Sequence, residues 1–213
     1  MKPRTSASSA VSEAASPFST RSPQRSALSL ALAPLLRWYE AAGVAPPAVH
    51  ILAGETMPEP YRSLLVHERD MTSTLETFHR GTLQLRVLGT QHREPIYQRV
   101  VVLELEESGR AVEFGATHLH LDALPPAARS LVLAAKRPFG AILRTCAIAY
   151  VSRPKAFFRV EPDATIANAL RIATPTTLYG RCNALCAPAG NVIADIVEIL
   201  PPAGTTVSSP GPT

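Results

Sequence analysis

The sequence predicts an α+β domain built on a single antiparallel β-sheet with helices packed on it. Three observations carry this. Apolar residues recur with helical spacing up to Gly81 and then switch to alternation; later apolar stretches come in pairs joined by short turns; and the helical segments lie early and in the middle. The 213 residues, 46% of them apolar, are enough for one core. No internal repeat is visible, and collagen, coiled coil and full disorder are excluded by composition.

The elements follow in order. Residues 1–26 contain eight Ser and four Ala with Phe18 as almost the sole apolar anchor, a composition expected to stay disordered. Their Ser- and Arg-rich, acid-poor character also suits a transit peptide, but a plain solvated tail is the expectation, in a cytoplasmic protein. Ala27 to Ala42 carries Leu28, Leu30, Leu32, Leu35, Leu36 and Tyr39 and stops at Gly43, which predicts a helix. Pro46, Pro47, Pro58 and Pro60 are expected to forbid regular structure in the next stretch. Asp70 is placed to cap a helix over Met71 to His79 that buries Met71, Leu75 and Phe78, with Gly81 ending it.

Leu83, Leu85 and Val87 then alternate with Thr82, Gln84 and Arg86, as a half-buried strand requires. Tyr97 to Leu105 and Ala111 to Leu121 form a hairpin about the turn Glu107-Ser108-Gly109. Pro125 and Pro126 open a helix reaching about Lys136, and Pro138 opens a shorter one with Ile142 and Leu143. Tyr150 to Val160, Leu178 to Cys186 and Val192 to Leu200 are further strands, the last two joined through Ala187 to Asn191. The domain is expected to span 27–201, with 202–213 a Pro-, Gly- and Ser-rich tail.

Charge narrows the function. The formal net charge is +4, but Lys2, Arg4, Arg21 and Arg25 against Glu13 place most of it in the first 26 residues. The remainder, near +1, lacks the basic footprint of a nucleic-acid binder. The longest apolar stretch, Ala27 to Leu36, is ten residues broken by Ser29 and Pro34, so no membrane-spanning helix is expected. Cys146, Cys182 and Cys186 are odd in number and wrongly spaced for a zinc knuckle or redox pair, and read as small core residues.

Two charged residues stand out. Arg99 shares its strand face with Tyr97, Val101, Leu103 and Leu105, so it needs an anion: either a carboxylate on a neighbouring strand or a ligand carboxylate held by its fork. Glu198 shares its face with Val192, Ala194, Ile196 and Leu200, and is either the partner of Arg99 or an acid whose pKa burial raises. Asp195 makes the same case more weakly for the opposite face. His118 and His120 share a strand face at metal-ligand spacing, but no third ligand is evident and no metal is expected.

These elements carry a family resemblance. Leu64-Leu-Val-His-Glu-Arg-Asp-Met-Thr-Ser-Thr-Leu-Glu76, Tyr97-Gln-Arg-Val-Val-Val-Leu103, Phe114-Gly-Ala-Thr117, Arg137-Pro-Phe-Gly140, Leu178-Tyr-Gly-Arg181 and Val197-Glu-Ile-Leu-Pro201 resemble chorismate pyruvate-lyase, over about residues 62 to 201 and in the same order. The resemblance implies a chorismate lyase-like fold with a buried ligand pocket under helix-bearing flaps. It also implies a cofactor-independent, monomeric carbon–oxygen lyase that eliminates pyruvate from chorismate to give 4-hydroxybenzoate or a close relative, for quinone or pigment synthesis. Arg99 would grip the ring carboxylate and Glu198 would be the acid–base residue; Met71, Gly115 and Phe139 would line the ligand, and Arg181 would be a second anion contact.

Departures from the family pattern exist. Ala116 stands where the family commonly has arginine, which removes one positive charge from the neighbourhood of the substrate; the turn before Glu198 is about two residues longer, which leaves Asp195 a competitor for its place; and the Ser-rich tail has no counterpart. The rival reading is a non-catalytic binder of aromatic acids with the fold of the effector domains of GntR-type regulators. Those carry an N-terminal winged helix, for which the 26 tail residues and one helix are too short and too polar. No P-loop or dinucleotide fingerprint is present, in keeping with either reading.

Overall fold

The computed structural model describes residues 23–203, with side chains from residue 27; the predicted tails, 1–26 and 202–213, fall largely outside the described residues. Seven strands among them form one sheet: β1 Val49–Leu52, β2 Leu83–Arg93, β3 Ile96–Leu105, β4 Ala111–His120, β5 Val151–Val160, β6 Leu178–Cys186 and β7 Val192–Leu200. Their order is β1-β5-β6-β7-β4-β3-β2, and every neighbouring pair is antiparallel. Two three-stranded meanders, β2-β3-β4 and β5-β6-β7, are therefore joined edge to edge along β4 and β7, where Gly115 faces Glu198 and Thr117 faces Ile196.

Helices cover both faces, so alternate residues of the central strands enter different cores. On one face α1 (Pro23–Ala31), α2 (Ala33–Ala42) and α7 (Ala164–Leu170) enclose Val100, Val102, Phe114, Phe158, Val197 and Ile199. On the other, α3 (Tyr61–Leu65) and α4 (Met71–His79) pack over Leu103 and Leu200, while α5 (Pro126–Leu133) and α6 (Phe139–Thr145) pack over Leu119, Leu185 and Ile196. Each fully buried Leu or Phe here contributes roughly 1.5–3 kcal/mol.

Several elements differ from the sequence expectation, each for a local reason. The helix expected over Ala27 to Ala42 is two helices meeting at Leu32, because Pro34 cannot donate to the preceding turn and instead sits in the first turn of α2. Its start at Pro23 also precedes the expected domain boundary. The prolines between 46 and 60 flank β1 and α3 rather than preventing them, with Pro60 at the N-cap of α3. Helix α7, not foreseen, is signalled by Asp163, whose carboxylate accepts from the Ile166 amide at 3.0 Å.

Helix α4 starts as expected at Asp70, which accepts from Ser73 N at 2.8 Å. It buries Met71 and Leu75 but leaves Phe78 half exposed, and Arg80, at φ 53°, ends it one residue before Gly81. Glu104, on the β3 face opposite Arg99, is buried under helices and paired with Arg86 at 2.6 Å and Arg171 at 3.3 Å. Cys182 and Cys186 are buried and unbridged, and burial pushes the Cys182 thiol up to about 12, which suits an inert core residue.

Candidate functional site

The central strands bring Arg99 and Val101 of β3, Glu113, Gly115 and Thr117 of β4, Asn183 of β6, and Ile196 and Glu198 of β7 to one sheet face. The first turn of α4, through Met71 and Thr72, and the start of α6, through Phe139 and Gly140, roof them over. The result is a tight internal cavity, about 40 Å³ of room for the centre of a water-sized sphere. Arg99, Glu198, Met71, Gly115 and Phe139, five of the six residues singled out from sequence, line it together.

Arg99 is 1% exposed and makes no ion pair among the described residues. Its Nε has no hydrogen-bond partner, and Nη1 has only the Arg137 carbonyl at 3.5 Å. Burial lowers its pKa to about 10, so the guanidinium remains charged at neutral pH. The strand-borne carboxylate considered as its partner is therefore absent, and Glu198 is engaged elsewhere.

Glu198 accepts from Arg181 Nε across β6 and β7, in an ion pair in which both side chains are buried. Arg181 also donates through Nη1 to the carbonyls of Leu65 at 3.1 Å and His67 at 3.0 Å, and through Nη2 to Arg69 at 3.1 Å. These contacts tie the α3–α4 connection to the sheet. The expected second anion contact is thus a structural clamp: its guanidinium is taken by protein acceptors and lies outside the cavity lining. His67, beside it, is held neutral, its pKa lowered to about 4 by burial and by Arg181.

The register also settles two questions that the sequence left open. Asp195 is on the far face, bonded to Lys155 Nζ at 2.9 Å and to His120 at 3.4 Å, so Glu198 alone of the two reaches the cavity. Ala116 points away from the cavity into the core under α2, so the missing arginine subtracts no charge from the cavity wall. Among the described residues no three His, Cys, Asp or Glu side chains are grouped as metal ligands, and His118 and His120 stand on that same far face.

Glu113 is the residue that sequence reasoning missed. It is 4% exposed, its Oε2 has no partner, and it makes no ion pair among the described residues. Removal from water, reinforced by the Glu198 charge, raises its pKa well above the usual carboxylate range. Gly115 makes its seat, since a Cβ there would lie 3.0 Å from Glu113 Oε1. A signal existed: Glu113 is two residues from Gly115 and must share its face.

The roof depends on a second close approach. A Cβ on Gly140 would lie 2.4 Å from Asp70 Oδ1 and 2.7 Å from Thr72 Oγ1, so only glycine lets α6 rest on the start of α4. Gly140→Ala is expected to lose about 1–3 kcal/mol, read as a lower urea midpoint. Around the rim, Tyr150 donates to Asp70 at 2.9 Å and Arg144 donates to Glu76 at 2.8 Å.

A roomier groove of about 540 Å³ lies between α2 and strands β2 to β4, but its cations, Arg37 and Arg93, are exposed and solvated. The enclosed cavity, with its buried unpaired charge, has the stronger claim.

No protein-family model matches the chain. No curated protein matches it. Solved structures do. PhnF from Mycobacterium smegmatis superposes with a TM-score of 0.50 at 14% identity, over 63% of this chain and 64% of that one, so the match spans less than two thirds of PhnF. The separate effector domain of PhnF gives 0.48 at 15% identity, covering 62% of this chain and 87% of that domain. A GntR-family transcriptional regulator from Bacillus cereus gives 0.42 at 9% identity, covering 56% and 92%. The likeness establishes the fold: the single antiparallel sheet with helices is the chorismate lyase-like architecture that GntR-type effector domains share. No helix among the described residues is long and apolar enough to cross a membrane.

Proposed function

We propose that the chain is a small-molecule-binding domain whose cavity takes an organic monocarboxylate on Arg99 and holds it without turning it over. The observation that carries this reading is the isolation of Arg99. A buried structural arginine is ordinarily tied to a carboxylate, as Arg181 is to Glu198; Arg99, on the cavity wall, has none. Burying an unpaired cation costs several kcal/mol, which an incoming carboxylate offsets through a two-pronged contact. The fold is in keeping with this reading, since it is shared with PhnF, a protein that has an effector domain.

The cavity charge favours one carboxylate over two. Glu198 is matched by Arg181 and Asp70 faces Arg144 at 3.7 Å, so a single cation is left over. Chorismate carries two carboxylates. Elimination of pyruvate from chorismate is the second reading, supported by the sequence resemblance and by the meeting of Arg99 and Glu198 around one space. In that reaction Arg99 would orient the ring carboxylate and a carboxyl on β4 or β7 would supply the proton to the departing enol.

Calorimetry with 4-hydroxybenzoate and a coupled dehydrogenase assay for pyruvate from chorismate separate the two. The expected result is binding of 4-hydroxybenzoate with no pyruvate above the enzyme-free rate. Pyruvate release would establish the lyase reading instead, and failure of the monocarboxylate to bind would remove the binding-domain reading.

A further inference from the structure

The buried carboxyl of Glu113 has no task in the monocarboxylate reading. Every group facing it can be named: Glu198 from β7, Arg181 from β6, Asp70 from the head of α4, and Arg99 from β3 on the same cavity wall. Arg181 is already committed to Glu198, so Glu113 has two acidic neighbours and no free cation beside it. Along the sheet, Arg99 is opposite Thr117 and Glu113 is opposite Leu103, four β4 residues further, a separation of roughly 13 Å. The two residues therefore mark opposite ends of one cavity, a cation at one and a carboxylic acid at the other.

We propose that Glu113 is a specificity residue that remains a neutral acid and donates its O–H to the ligand, so that the cavity selects monocarboxylates carrying a neutral oxygen acceptor at the end remote from the carboxylate. This deepens the monocarboxylate reading and rests on it. An ionised Glu113 could only accept, and with Glu198 and Asp70 it would make that end of the cavity repel an acceptor. A neutral one has one proton to give and, on Oε2, no protein partner to take it. Gly115 keeps the space beside that carboxyl clear of a side chain. The ligand class that follows is an aromatic or similarly rigid acid with a hydroxyl, ether or carbonyl oxygen at the far end.

The test uses two probes of nearly equal shape, 4-methoxybenzoate and 4-ethylbenzoate, which differ in a single acceptor that cannot itself donate. At pH 6 the full chain is expected to prefer the methoxy acid by about five- to tenfold, the worth of one buried hydrogen bond. Glu113→Leu should erase or reverse that preference, and Glu113→Gln, whose amide donates but does not titrate, should restore it and make it independent of pH. In the unsubstituted chain the preference should shrink as pH rises and the acid ionises. Preference for the ethyl acid at pH 6 would overturn the proposal.

A reading without ligand tests the proton itself. A carboxyl whose folded pKa is raised contributes stability below its unfolded value near 4.5 and loses it progressively as pH rises towards the folded value. The melting temperature of Glu113→Gln should therefore gain on that of the unsubstituted chain between pH 5 and pH 8. A constant difference over that range would mean that Glu113 is ionised throughout and would sink the assignment. If the gain appears but neither probe binds, the monocarboxylate reading fails, and selection by Glu113 fails with it.

Discussion

Arg181→Met is expected to cost about 3–5 kcal/mol of stability, the largest single effect in the domain. The substitution leaves Glu198 as a buried carboxylate with no counter-charge and withdraws donors from the carbonyls of Leu65, His67 and Arg69 at one stroke. Urea unfolding at pH 7 measures it as a fall in the midpoint at unchanged slope. Adding Glu198→Leu should recover part of the loss, because the stranded charge is gone, but not all, because the three carbonyls still lack partners. A loss below about 1 kcal/mol would mean that the clamp is not what holds the α3–α4 connection on the sheet.

Arg99→Met is expected to do the reverse. With no ion pair to break and an uncompensated buried cation removed, the unliganded protein should become about 1–3 kcal/mol more stable. Binding of 4-hydroxybenzoate should weaken by about 2–3 kcal/mol, or roughly 30- to 150-fold, the worth of charge-assisted hydrogen bonds. Arg99→Lys should fall between, retaining the charge without the planar fork. Destabilisation by Arg99→Met, together with unchanged affinity for the acid, would identify Arg99 as a structural residue. The two arginines are equally buried and opposite in expected behaviour, which makes the pair a sharper test than either alone.

Arg99, Glu198, Met71, Gly115 and Phe139 were legible in the sequence because a charge on an apolar strand face or a motif in a fixed order marks them individually. Arg181 was marked only through the family resemblance, as a second anion contact, and not in its structural role: its partners come from β7 and from the 65–69 loop, and no local pattern says which way a guanidinium turns. Glu113 was obscured because it alternates with Val112 and Phe114, which reads as an outward position on a one-sided sheet. The sheet is covered on both faces, so the polar side of the alternation is also interior, as it is for Glu104. Strands β2 to β7 were placed well, while β1, α3 and α7, short and dependent on packing for their stability, were not.

The joining of the two meanders bears on how the domain comes into being. Contacts within each meander link residues that are close in sequence, but the β4–β7 seam joins positions separated by roughly eighty residues, so its closure carries a larger loop entropy than any pairing within either meander and is expected to slow folding. Arg99 and Glu113 belong to the first meander, and Glu198 with its clamp to the second. Until the seam zips, each half holds charged groups with nothing built around them, and the recognition chemistry is absent from any half-formed species. The cavity is thus a product of the joining of the two meanders, and a chain that has acquired affinity for its ligand has, by that fact, closed the seam between them.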